Sequence, residues 1–135
     1  MKIGFTAGAW DLFHPGHLLF LGKCKEHCDT LIVGLHTNPT YDRPNKNVPT
    51  QTTWERWVQL KACSHVDRII PYDTEEDLNN MLSVLDINTY FIGSDHKNHI
   101  ITGREVCLKR SIGICFVDRL HNYSSSALRQ RIKYM

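Results

Sequence analysis

Hydrophobic positions fall into two patterns that alternate along the whole chain. Short apolar runs at 2–7, 30–35, 68–71, 89–92 and 112–117 have the length and content of buried strands. Between them, the segments 16–27, 53–64, 75–85, 103–110 and 124–133 mix apolar and polar positions as amphipathic helices do. Five strands interleaved with five helices predict an α/β fold: a single doubly wound domain, with helices on both faces of a five-stranded parallel sheet. Right-handed crossovers would place ligands beyond the carboxyl ends of the strands, where the winding reverses. The segment 36–52, with Asn38, Pro39, Pro44, Asn45, Asn47 and Pro49, breaks the alternation and reads as a 17-residue loop. Compact domains seldom carry a loop that long without a functional reason. It holds Arg43 and Lys46, either two solvated charges or cations on a mobile flap.

The first strand runs into Gly8-Ala9-Trp10-Asp11, and a helix is expected beside Pro15 in His14-Pro15-Gly16-His17. Proline costs nothing at a first helical position, where its missing N–H had no partner. Free amides at that helix start, and the positive end of its dipole, suit a phosphate. His14 and His17, three residues apart, share a face and can both point at it.

The stretch Thr6-Ala7-Gly8-Ala9-Trp10-Asp11-Leu12-Phe13-His14-Pro15-Gly16-His17 resembles the HxGH nucleotidyltransferase signature. Within that superfamily the chain is most similar to the small cytidylyltransferases, of which glycerol-3-phosphate cytidylyltransferase is the minimal form. Four further segments agree in order: Glu55-Arg56, Val66-Asp67-Arg68-Ile69-Ile70-Pro71, Phe91-Ile92-Gly93-Ser94-Asp95, and Arg119 followed by Tyr123-Ser124-Ser125-Ser126. The resemblance implies a Rossmann-like domain spanning 1–135 that transfers CMP from CTP to a small phosphorylated alcohol, releasing pyrophosphate. It also implies a homodimer and Mg²⁺ carried mainly by the triphosphate. Carried over residue by residue, it makes His14, His17, Lys46 and Arg119 the catalytic set. Ala7, Gly8, Ala9, Trp10, Asp11, Gly16, Gly93, Asp95, Tyr123, Ser124, Ser125 and Ser126 would form the nucleotide site. Arg56 is a candidate for the acceptor phosphate or for pairing with Glu55. Asp11 would orient a histidine or Mg²⁺, or cap the first helix, and the serine run would cap the last helix or meet phosphate.

The chain also departs from the pattern. Leu120 and Asn122 stand where the family has threonine and glycine, Ser64-His65 precedes Val-Asp, and Gly93-Ser94-Asp95-His96 replaces Gly-Asp-Asp-Trp. An adenylyltransferase acting on a sugar phosphate or cofactor precursor, or a non-catalytic nucleotide-binding module, are therefore the alternatives. Arg129 and Arg131 are expected on an exposed helix face; His36, His65, His96, His99 and His121 carry no assigned role, and most of them are expected at the surface.

Composition excludes several other classes. With 135 residues, one domain accounts for the chain. A formal charge of +2 is too mild to argue for nucleic acid. No run approaches the ~20 apolar residues of a membrane helix, and the first strand leaves no room for a signal peptide, so a cytoplasmic protein is expected. The five cysteines lack zinc spacing, and no protein metal site is expected. No P-loop, dinucleotide glycine motif or hydrolase nucleophile elbow is present. Transfer between two phosphates needs no protein nucleophile, only groups that hold the anions in line and neutralise developing charge.

Overall fold

A computed structural model describes residues 1–118 and 121–135. Arg119, expected in the catalytic set, and Leu120 lie outside the described residues. Five strands form one all-parallel sheet: β1 (Ile3–Gly8), β2 (Thr30–His36), β3 (Arg68–Tyr72), β4 (Thr89–Gly93) and β5 (Gly113–Val117), in the order β3-β2-β1-β4-β5. The helices are α1 (Pro15–Glu26), α2 (Thr53–Lys61), α3 (Glu75–Val84), α4 (Arg104–Arg110) and α5 (Ser125–Lys133). The expected elements are all present, with ends moved by at most three residues. Two 3₁₀ turns, Pro39–Tyr41 and Ser94–His96, were not foreseen.

Alternation along each strand splits the core in two. Leu31, Val33 and Leu35 of β2 point to one face, where Leu21 and Cys24 of α1 and Leu60 of α2 cover them. Ile32 of β2 joins Phe5, Tyr72 and Tyr90 on the other face, under Leu78 and Leu82 of α3 and Cys107 of α4. Burying a leucine or phenylalanine of this kind contributes about 1.5–3 kcal/mol. α5 has no buried residue and meets the body of the fold through Ser125 and Arg129. The edge strand β3 carries Pro71 opposite Leu35, tolerated because an edge strand has one row of backbone groups without a partner.

β1 lies between β2 and β4, and the chain winds outward from it in both directions. The reversal falls between the carboxyl ends of β1 and β4, beside the histidine-bearing turn.

Candidate active site

The turn between β1 and α1 adopts a demanding conformation. Trp10 and Leu12 both have positive φ, 55° and 51°, which costs an L-residue roughly 1–2 kcal/mol. Two bonds hold them there: the buried Trp10 donates from Nε1 to the Gly34 carbonyl at 3.0 Å, and the Leu12 amide donates to Gln51 Oε1 at 2.8 Å. The turn thereby delivers His14 to the helix start.

His14 is the N-cap of α1, and the two imidazoles close the cap reciprocally. The Gly16 amide donates to His14 Nδ1 at 3.0 Å, and the His14 amide to His17 Nδ1 at 3.2 Å. The ring centroids are 3.8 Å apart, and Phe13 also stacks on His17. Since each Nδ1 accepts, the proton of each neutral ring sits on Nε2. Gly16 is required by close approach: a Cβ there would lie 2.7 Å from both His14 and His121. One expectation changes here. Pro15 has no amide and the Gly16 and His17 amides are bonded to His14, so these amides are held within the turn.

Asp11 neither orients a histidine nor caps α1. Its carboxylate accepts from the Thr50 and Gln51 amides at 2.8 and 2.9 Å and from Arg129 Nη2 at 2.7 Å, so it clasps the end of the 36–52 loop to α5. Arg129, expected on an exposed face, therefore reaches into the site. Arg56 meets neither the cleft nor Glu55. It is 1% exposed, and its guanidinium donates to the carbonyls of Ala9, His36, Thr37, Gln51 and Thr52. Glu55 is occupied in the cap of α2 with Thr52.

These elements enclose a cleft of about 950 Å³ at the carboxyl edge of the sheet, the upper end of the ~300–1,000 Å³ usual for ligand sites. His14, His17 and Lys46 line it together with Ala7, Gly8, Ala9, Trp10, Asp11 and Gly16. From the far side come Gly93, Asp95, Tyr123, Ser124 and Ser125; Ser126 is not among the lining residues. Ser124 caps α5 by accepting from the Ala127 amide, and Ser125 Oγ donates to the Asp11 carbonyl at 2.8 Å. A Cβ at Gly93 would sit 2.6 Å from Asp95 Oδ1, so only glycine lets that carboxylate fold back.

Four of the five histidines left without a role line the cleft: His36, His96, His99 and His121. Nothing in their local sequence marks them; strand order and loop folding bring them together. Arg43 pairs with Glu75 at 2.9 Å, whereas Lys46 makes no side-chain hydrogen bond or ion pair among the described residues. No group of three potential metal ligands occurs among the described residues, and the Asp11 carboxylate is held by Thr50, Gln51 and Arg129.

Comparison with known proteins agrees with this geometry. Residues 5–131 match the Cytidylyltransferase-like family. The Bifunctional protein HldE of Hyphomonas neptunium is 31% identical over 132 residues, 97% of this chain and 27% of that protein. The protein of the same name from Campylobacter jejuni is 29% identical over 98% of the chain and 28% of its own length. The chain thus spans about a quarter of the length of these relatives. Among solved structures, a lipopolysaccharide core biosynthesis protein from Thermoplasma volcanium superposes with a TM-score of 0.70 at 21% identity, covering 92% of this chain and 99% of that one. A histidine-capped helix at the switch point of a parallel sheet, and a family match over nearly the whole chain, lead to one conclusion: this chain belongs to the cytidylyltransferase-like family.

Proposed function

We propose that the chain transfers CMP from CTP to the phosphate of a small phosphorylated alcohol, of the glycerol 3-phosphate kind. The observation that supports this reading is the pair of reciprocal caps, which holds both imidazoles at the switch point, in the lining of the cleft. An ionised oxygen of the acceptor phosphate attacks the α-phosphorus. A new P–O bond forms, the bond from the α-phosphorus to the bridging oxygen breaks, and pyrophosphate leaves with the electron pair. No protein proton is consumed.

His14 and His17 meet the triphosphate as charge develops, Lys46 adds a cation from the loop, and Arg119 follows from the resemblance alone. Mg²⁺ travels with the triphosphate, and no step here depends on a protein-held metal. Five free thiols fit a reducing compartment such as the cytoplasm. A second reading, adenylyl transfer to a sugar phosphate, is favoured by Gly93-Ser94-Asp95-His96, which lacks the Gly-Asp-Asp-Trp of the cytidylyltransferases.

The test is pyrophosphate release with CTP and with ATP, each offered against glycerol, ribitol, sugar, choline and ethanolamine phosphates. Release with CTP and a polyol phosphate is expected. Release with ATP alone establishes the second reading, and silence with both withdraws the proposal.

A further inference from the structure

The acceptor site expected at Arg56 has no guanidinium to offer, so the cleft must recognise its second substrate elsewhere. On the face covered by α3, three side chains line the cleft although each is more than nine-tenths buried: His36 at the end of β2, Tyr72 at the end of β3 and Tyr90 in β4. His36 stacks on Tyr72 with centroids 4.5 Å apart, and its Nε2 lies 3.1 Å from the Asp73 carbonyl. That carbonyl fixes the Nε2–H tautomer and leaves Nδ1 as an acceptor. Gly34 makes room for the arrangement, since a Cβ there would stand 3.2 Å from the Tyr72 ring.

The two phenol oxygens hydrogen-bond to none of the described residues, yet they are not sealed in. Gln59 Oε1 is the one closed-off side-chain polar atom without a partner among those residues. Both phenols respond electrostatically to Glu75 and Arg43, which form an ion pair beside them. Burial pushes both phenols far above their usual range, so each keeps its O–H. The cleft thus holds two hydroxyls and one imidazole nitrogen that water or ligand must satisfy, because unpaired buried polar groups are costly.

We propose that Tyr72, Tyr90 and His36 form a subsite for the uncharged, hydroxyl-bearing end of a polyol phosphate or sugar phosphate acceptor. This rests on the nucleotidyl-transfer reading above and adds its acceptor class. Phenols and an imidazole nitrogen supply both donors and acceptors, as vicinal hydroxyls require. A quaternary ammonium would instead need open aromatic faces and uncompensated negative charge. His36 covers one face of Tyr72, and Arg43 neutralises Glu75.

The test uses Tyr72→Phe and Tyr90→Phe, which keep the rings and remove only the oxygens. Pyrophosphate release is followed with glycerol 3-phosphate, ribitol 5-phosphate, choline phosphate and ethyl phosphate. Each variant should raise the acceptor KM roughly 3- to 10-fold for the polyol phosphates, leave the triphosphate KM and Tm unchanged, and leave ethyl phosphate kinetics untouched. An unchanged polyol KM, an equal rise in the triphosphate KM, a marked fall in Tm, or choline phosphate turned over as well as the polyols would each overturn the subsite. If the wild type releases no pyrophosphate with any acceptor, the nucleotidyl reading fails and calorimetry with glycerol 3-phosphate decides the subsite separately. Binding weakened in both variants supports it; no binding, or equal binding, overturns it.

Discussion

At His14 one ring has two roles: Nδ1 holds the Gly16 amide, and the ring lines the cleft, where the proposed reading gives its Nε2–H to the triphosphate. The two can be separated by substitution. Asparagine is among the best N-cap residues, so His14→Asn keeps the helix start and removes the donor. Its kcat should fall roughly 10²-fold or more with Tm near that of the wild type. His14→Ala loses both functions and should be less stable by about a further 1 kcal/mol. Steady-state kinetics beside denaturation curves will show both effects, and a fully active His14→Asn would remove this histidine from the mechanism. His36 permits a test by pH. Burial, the largest influence, holds its pKa below the usual 6.5, so on acidification the unfolded chain takes up this proton first. The His36 contribution is therefore fully present above pH 6.5 and is lost as pH falls below it. Urea midpoints between about pH 5 and 7.5 should slope less in His36→Gln than in the wild type. His14 and His17 could be read from sequence because strand, turn and proline lie beside them. His36 could not, because its role depends on Tyr72, which is 36 positions away in the sequence and adjacent only once β2 pairs with β3.

Among the elements, Arg56 and Asp11 join pieces that would otherwise meet only through loops. Arg56 ties the start of α2 to the turn after β1 and the end of β2 through backbone carbonyls. Arg56→Met should cost about 3 kcal/mol or more, since it orphans several buried acceptors. That loss would appear in the Tm even without substrate, whereas a substrate-binding arginine would change the KM and leave the apo protein stable. The Asp11–Arg129 clasp behaves differently, because Arg129 is partly exposed and solvent screens the pair. Arg129→Ala should change stability little and raise the triphosphate KM severalfold, as the 36–52 loop loses its anchor on α5. Strand and helix positions were legible because alternation and helical spacing leave clear traces over five residues or more. The 3₁₀ turn Pro39–Tyr41 left none. Its order comes from Asn38 capping Thr40, and Asp42 and Arg43 then anchor the adjoining loop on the start of α3, contacts that exist only in three dimensions.

For the molecule as a whole, the cleft draws on residues from Thr6 to Arg129, so it exists only when both halves of the sheet are assembled. A ligand that fills it should stabilise the entire fold in proportion to its affinity. Thermal shifts that differ between CTP and ATP would reveal a site for the base, and equal shifts would mean recognition by phosphates alone. The homodimer implied by resemblance is carried forward as a proposal on the surface of α2, where Trp54 is 68% exposed and stacks on Trp57. Light scattering should give the mass of two chains at micromolar concentration, and the mass of one chain would retract it. Such a pairing cannot readily proceed by extending the sheet past β3, and Pro71 is the reason. A strand arriving at that edge would find one backbone donor missing and the run of hydrogen bonds interrupted. One proline at the rim thus acts as a guard against fibrous aggregation, keeping a parallel sheet rich in valine, isoleucine and leucine from growing into the next molecule while the chain is still crowded with its copies.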